Sequence, residues 1–170
     1  MPRIDEWSNR LRGMLHGSPS RDDIDGFVRD VVMDCKGFVE REEDLRIPPY
    51  ELSLCDDDQF QQLLRLLPRR FVYEPMAVTV GRGSDRLIAI NVHKVLLLLH
   101  HDDPHQTLVL NLTLAAIEEL IHAARPDLTE TRVNEMVNDL GERYLGVTIP
   151  REVKDRLAHI VEENEAADEG

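Results

Sequence analysis

The longest apolar stretch of the chain lies between Pro104 and Pro126, and its pattern predicts a helix of about six turns. Asp103 and Pro104 are suited to the N-cap and first helical positions, and neither glycine nor proline interrupts the run before Pro126. Apolar residues occupy every side of its first half, which is typical of a helix buried at the centre of a fold. We therefore expect the rest of the chain to pack around this segment.

Three polar residues of this stretch fall on one face. Asn111, Glu118 and His122 are spaced by seven and four positions, which places them on the same side of a helix, with Glu119 beside them. Moving two carboxylates and an imidazole from water into a core is costly unless these groups are paired or bind a metal ion. We expect this face to open on a cleft or to lie against another group.

Helical periodicity predicts five further helices, over residues 4–15, 20–39, 56–67, 129–145 and 150–163. Ser20 and Thr129 are suited to cap two of them, and Gly146 is suited to end the helix that follows Thr129. The charges and the two prolines between Glu40 and Tyr50 predict a loop. After the last helix, the acidic residues 164–170 predict a frayed tail.

The period of the pattern changes after Phe71. Met76–Val80 and Arg86–Val92 are rich in β-forming residues and are joined by a short, glycine-containing linker, which predicts a β-hairpin. The stretch Val95–His105 fits either a buried strand or a short helix.

Together these elements predict a single domain, residues 1–170, of the α+β class: predominantly helical, with a small hairpin packed beside a buried central helix. We expect four regions within it, namely an N-terminal helical layer (1–67), a core (71–145), a C-terminal helix (150–163) and the acidic tail (164–170).

Acidic residues outnumber basic residues by 33 to 20, and the formal net charge is −13. This charge argues against general binding to nucleic acid or to an anionic membrane, since both rely on basic surface. Cys35 and Cys55 are the only cysteines, too few for a disulfide scaffold or a thiolate zinc site. The first thirty residues lack the apolar centre of a signal peptide, and the apolar run Val95–Leu99 is far too short to span a membrane. We therefore expect a cytoplasmic protein.

The segment Glu118-Glu119-Leu120-Ile121-His122 resembles the HExxH motif of zincin-type metallopeptidases, in which two histidines one turn apart bind zinc and the glutamate between them acts as general base. The resemblance implies that His122 is a metal ligand and that Glu119 is the base. Glu118 stands where the family has its first histidine. Zinc accepts carboxylate oxygen, so Glu118 can still serve as a ligand. The implied cofactor is Zn²⁺.

The predicted hairpin is a second point of resemblance. In zincins, a strand of a small sheet lies along the catalytic cleft just before the active-site helix and can pair with an extended substrate. Here the hairpin likewise precedes the helix that carries the motif. The resemblance therefore covers residues 71–145.

The same resemblance implies a third ligand, because zincins with a glutamate ligand take it from a helix after the motif. Glu130 lies three residues before Val133 and seven before Val137, so it shares the inward face of the helix 129–145, whereas Glu135 points outward. Glu130 is therefore the candidate. Alternatively, Glu130 interacts only with the N-terminus of its own helix, as acidic first-turn residues do.

Three other segments contain residues that are typical of metal or phosphate sites. Asp56–Asp58 fits the start of a helix and lacks the glycine and later glutamate of a calcium loop. The Gly81–Gly83 segment is weak evidence for phosphate binding, because the following strand does not lead into a glycine-rich turn. The third cluster is either a hydrophilic loop or a group of metal ligands, and consists of His100, His101, Asp102, Asp103 and His105.

The first function that these residues suggest is a metal-dependent peptidase. His122, Glu118 and Glu130 would hold one Zn²⁺, and Glu119 would take the proton of the attacking water. The net charge at the metal is one unit lower than with two histidines and one glutamate, so we expect activity to be low or shifted toward another metal.

The alternative function is a non-catalytic relative whose cleft binds a peptide or a protein partner. In that case a Glu118–His122 interaction, with an arginine such as Arg125 or Arg132 nearby, would satisfy the polar face without a metal ion. A plainer option is a helical interaction domain in which the resemblance to the motif is coincidental.

Overall fold

The computed structural model describes residues 1–81 and 83–169 of the chain. Helices form most of these residues and three strands form one small sheet, which confirms the predicted α+β class. In chain order the helices are α1 (Arg3–His16), α2 (Arg21–Glu42), α3 (Asp57–Leu66), α4 (Val92–Leu97), α5 (Pro104–Ala124), α6 (Glu130–Leu145) and α7 (Arg151–Glu169). The strands are β1 (Glu51–Cys55), β2 (Ala77–Val80) and β3 (Leu87–Asn91).

The helices predicted over 4–15, 20–39, 56–67 and 129–145 are present as α1, α2, α3 and α6. Ser20 and Asp56 form capping boxes at the starts of α2 and α3. Thr129 caps α6, and Gly146 ends it with a φ of 73°, a left-handed conformation that glycine adopts at little cost. Capping side chains and a terminating glycine, all recognisable within a few residues of sequence, therefore set these helix ends.

The strands are ordered β1-β3-β2, and β2 pairs antiparallel with β3 as the predicted hairpin requires. Sequence analysis misses β1, which pairs parallel with β3 from Glu51 opposite Leu87 to Cys55 opposite Asn91. The expected helical layer over residues 1–67 is therefore wrong at residues 51–55, which belong to the sheet. Arg82, in the linker of the hairpin, lies outside the described residues.

Helix α5 forms the centre of the fold, with α1, α2, α6 and β2 packed around it, as predicted. Leu112, Ile117, Leu120 and Ile121 on this helix have no exposed surface. The helix is long and apolar enough to cross a membrane, with a mean hydropathy of 1.4, but 61% of that apolar window is buried inside the structure. Such burial is expected of a helix that forms the core of a globular fold.

The entry to α5 differs from the prediction in one respect. The helix begins at Pro104, but Asp103 has a φ of 50° and its side chain makes no capping hydrogen bond. Instead, the backbone carbonyl of Asp103 accepts a hydrogen bond from Thr107 N at 3.1 Å. The ambiguous segment before it forms the helix α4 and a single 3₁₀ turn, Leu98–His100, rather than a strand.

The C-terminal helix is longer than predicted. Residues 164–169 do not form a frayed tail but continue α7 to Glu169, and Gly170 lies outside the described residues. The cause is tertiary contact: Asn164 accepts hydrogen bonds from the backbone of Val72 and Tyr73, and Glu165 accepts one from Thr131 N. No residue of α7 among those described is fully buried, so polar contacts hold much of this helix in place.

A buried polar network joins three of the helices that surround α5. Trp7 Nε1 on α1 donates a hydrogen bond to the Tyr144 hydroxyl on α6 at 2.8 Å, and this hydroxyl donates to Asp34 Oδ2 on α2 at 2.6 Å. Arg3 also forms an ion pair with Asp34 at 3.2 Å. The Tyr144 hydroxyl therefore both accepts and donates a hydrogen bond, and Tyr144 itself is only 4% exposed.

Replacing Tyr144 with phenylalanine should destabilise the fold, because it leaves Trp7 Nε1 without an acceptor and removes a donor from Asp34. We expect the free energy of unfolding in urea to fall by about 1–3 kcal/mol. Tyr73→Phe removes the same hydroxyl at a side chain that is 42% exposed, and should change stability by less than about 0.5 kcal/mol. Equal effects at the two positions would contradict the role of the network.

Candidate functional site

The polar face of α5 opens on a cavity of about 980 Å³, as expected from the spacing of its residues. Strand β2 forms one side of this cavity, and α6 and α7 form others. The residues that α5 contributes are Asn111, Leu114, Ala115, Glu118, Glu119 and His122. The two carboxylates and the imidazole therefore line an opening instead of lying within the apolar core.

His122 lies at the meeting point of two carboxylates. Its Nε2 atom is 3.3 Å from Glu130 Oε2 on α6 and 3.8 Å from Glu118 Oε1 one turn earlier on α5. Thr129 caps α6 directly before Glu130, so the first turn of α6 carries the carboxylate toward α5. The structure thus places both carboxylates beside His122, although the donor atoms within 4.8 Å of one another among the described residues are those of Glu118, Glu119 and His122, without Glu130.

Glu119 occupies a more enclosed position than Glu118. It is 5% exposed, and its Oε2 atom accepts a hydrogen bond from Thr79 Oγ1 on β2 at 2.6 Å. The side chain of Glu118, in contrast, is 41% exposed. The two neighbouring carboxylates therefore differ in solvation, with Glu119 fixed against the sheet and Glu118 at the opening.

The electrostatics of the site follow from burial and close charges. Burial raises the pKa of Glu119 to about 8, even though the nearby His122 acts in the opposite direction. Burial alone would lower the pKa of His122, but the nearby carboxylates of Glu118, Glu130 and Glu119 raise it to about 10. Without a metal ion, His122 therefore keeps its proton at neutral pH and pairs with these carboxylates.

Glu130 is also held by Arg69, a residue that sequence analysis does not identify. Arg69 Nη1 donates to Glu130 Oε1 at 3.2 Å, and Arg69 Nη2 lies 3.1 Å from Asp168 Oδ2 on α7. Burial acts to raise the pKa of Glu130, but His122 and Arg69 hold it below its ordinary value. Glu130 is therefore an ionised carboxylate with partners on both oxygens.

The prediction that Arg125 or Arg132 lies near the Glu118–His122 pair is wrong. Arg125 pairs with Asp127, and Arg132 pairs with Glu135, both on the surface. The arginine of the site is instead Arg69, which lies 61 residues before Glu130 in the chain. The loop after α3 carries no pattern that marks it for this role, whereas Thr79 could have been found from its inward position on β2.

The other clusters do not form comparable sites. Asp56 caps α3, with the two following aspartates in its first turn, so the interpretation of this run as a helix start is confirmed. Within residues 1–81 and 83–169, the group of metal-binding side chains whose donor atoms lie within 4.8 Å of one another is Glu118, Glu119 and His122. The histidines and aspartates at 100–105 form no such group among the described residues.

No protein-family model matches the chain, and no curated protein or solved structure matches it either.

The hydrogen bond from Thr79 to Glu119 can be tested with an isosteric pair of substitutions. Thr79→Val leaves the buried Glu119 carboxyl without this partner, so we expect the free energy of unfolding of the metal-free protein to fall by about 1–3 kcal/mol. Thr113 is fully buried, and its hydroxyl has no partner among the described residues. Thr113→Val should therefore be neutral or stabilising in the same urea titration. A Thr79→Val variant as stable as the parent would contradict the contact.

Proposed function

We propose that the cavity is a metal-dependent hydrolytic site for peptides, with Glu118, His122 and Glu130 as zinc ligands and Glu119 as the general base. The observation that carries this proposal is the approach of two carboxylates to one atom, His122 Nε2, at 3.3 and 3.8 Å. Ligand atoms bound to zinc at ordinary distances in a tetrahedral site are separated by about 3.4 Å. Among the described residues, the donor atoms that lie within 4.8 Å of one another belong to Glu118, Glu119 and His122, so Glu130 would have to move toward Glu118 for the three proposed ligands to hold one ion.

The roles of Glu118 and Glu119 are distinguished by their surroundings. Donor atoms of both lie within 4.8 Å of His122, so either carboxylate is close enough to contribute to a metal site. Glu119, however, is engaged by Thr79 and held against β2, whereas Glu118 lies one helical turn before His122 at the opening. This arrangement supports Glu118 as the ligand and Glu119 as the base beside it.

Arg69 partly offsets the additional negative charge of a site with two carboxylate ligands. Such a set carries one more negative charge than two histidines and one glutamate, which lowers the Lewis acidity of the metal. The guanidinium group of Arg69 contacts Glu130 Oε1 and withdraws part of this charge. The contact supports a weakened site rather than one in which metal binding is lost.

When bound, zinc would polarise a peptide carbonyl and make a bound water easier to deprotonate. Glu119 would accept the proton of that water at its carboxylate. Strand β2 is an edge of the sheet, and Ala77, Val78 and Thr79 line the cavity. Its unpaired edge supports a peptide as the ligand, since an extended chain can add to such an edge.

The alternative, a non-catalytic module that binds a peptide or protein partner, is favoured by the two carboxylates that lie beside His122. An imidazolium group between Glu118 and Glu130 satisfies the polar face of α5 without any metal ion. The cavity and the edge of β2 would then serve binding alone.

Metal analysis separates these two functions. The purified protein should carry about one zinc ion per chain, and His122→Ala and Glu130→Gln should each weaken zinc binding by more than about tenfold. Glu135→Gln is the matched control, because Glu135 lies on the same helix but on the surface, where it pairs with Arg132. Absence of zinc from the parent protein, with stability unchanged by a chelator, would favour the binding module.

A second experiment restores the residue that the motif lacks. Glu118→His should raise the rate of hydrolysis of a mixture of quenched fluorescent peptides, because a second imidazole increases the Lewis acidity of the metal. Adding Glu119→Gln to this variant should lower the rate by about 10²–10⁴-fold, since it removes the base but leaves the ligands. A zinc-loaded Glu118→His protein with no hydrolysis above background would contradict a peptidase ancestry for the site.

A further inference from the structure

Arg86 lines the same cavity and has no ionic partner among the described residues. Its Nη1 atom is buried and makes no hydrogen bond to any residue within 1–81 and 83–169. A buried donor without an acceptor costs about 1–3 kcal/mol, and more when it is charged. The chain is strongly acidic, with 33 acidic residues against 20 basic ones, so an unpaired guanidinium group in a cleft is unexpected.

The other basic side chains at this cavity and its rim are paired. Arg69 contacts Glu130 and Asp168, and Lys94 forms an ion pair with Glu74 at 2.7 Å. Arg86 therefore differs from Arg69 and Lys94 in having no carboxylate partner among the described residues, although Arg69 Nε is likewise a buried donor without a hydrogen bond there.

The sheet places Arg86 close to the proposed base. The register that pairs Val80 with Leu87 brings Gly81 next to Arg86, two positions along the strand from Thr79 and on the same face. This spacing corresponds to about 6.6 Å along a strand. Because Thr79 contacts Glu119, the backbone of Arg86 lies about two strand positions from the residue that holds the proposed base.

Gly81 allows the backbone of the turn to approach closely beside Arg86. It has a φ of 87°, and a Cβ atom built on it would lie 2.3 Å from the carbonyl oxygen of Asp85 and 3.4 Å from the Cα atom of Arg86. Any other residue at this position would be strained and would clash with the backbone of Asp85.

We propose that Arg86 determines specificity by binding a carboxylate of the ligand, and that the ligand is a peptide whose free C-terminus lies at the Arg86 end of the cavity. This inference rests on the proposed use of the cavity for peptides, but it concerns binding and does not require catalysis. Guanidinium and carboxylate groups form paired hydrogen bonds with matched geometry. A phosphate dianion is disfavoured, because the carboxylates of Glu118 and Glu130 line the same cavity and repel a double charge more strongly.

The test uses metal-free protein and two probes, the dipeptide N-acetyl-alanyl-leucine and its C-terminal amide, with inorganic phosphate as a third arm. The acid should bind at least about tenfold more tightly than the amide. In nitrogen–proton correlation spectra of the arginine side chains, the acid should shift the Arg86 Nε–Hε signal and the amide should not. This readout is made on the parent protein, so it does not depend on whether a variant folds.

Arg86→Gln should abolish the preference for the acid, and Arg86→Lys should retain only part of it, because lysine keeps the charge but not the paired geometry. Arg132→Gln, at an exposed arginine paired with Glu135, is the control and should leave the preference unchanged.

Equal binding of acid and amide, no binding of either at millimolar concentration, or stronger binding of phosphate would overturn the inference. A preference for the acid in a protein that carries no zinc would sustain it even if the hydrolytic function fails. Zinc-dependent hydrolysis that is equally fast for acid and amide substrates and unaffected by Arg86→Gln would overturn it while leaving the hydrolytic function intact.

Discussion

The burial of α5 is the constraint on which the rest of the structure depends. Most of its circumference is apolar, so α1, α2, α6 and the sheet must enclose it to remove that surface from water. The face that carries Glu118 and His122 cannot be enclosed in the same way, because unpaired charges are far more costly to bury than to leave at an opening. The position of the cavity is therefore set by where the central helix is polar.

Much of the fold could be predicted because its signals are local. The capping residues Ser20, Asp56 and Thr129 mark helix starts within a few positions, and β2 and β3 are neighbours joined by a short turn. Strand β1 could not be predicted in this way, since its partner β3 lies more than thirty residues later and pairs with it in parallel. The last residues of α7 are acidic enough to suggest disorder, and only contacts with residues distant in sequence order them.

The residues of the candidate site likewise fall into those that local sequence patterns predict and those that only tertiary packing brings to the cavity. Glu118, Glu119 and His122 could be placed together because they lie within two turns of one helix, and Glu130 because it shares a face with buried residues of α6. Arg69 and Arg86 could not be found, since each reaches the cavity through packing of segments that are far apart in the chain. Periodicity shows which side of an element is inward, but not which elements meet there.

The wall of the cavity that α7 forms is less firmly held than the walls that α5 and α6 form. Leu157, Ile160 and Val161 face the cavity, yet no described residue of this helix is fully buried, and Asn164 and Asp168 attach its far end through surface hydrogen bonds and an ion pair. Displacing it would expose little core surface, whereas moving α5 or α6 would disrupt the centre of the fold. A long peptide should therefore enter the cavity most easily on the side that α7 covers. The ease of entry should vary with ionic strength, because an ion pair contributes to the attachment of α7.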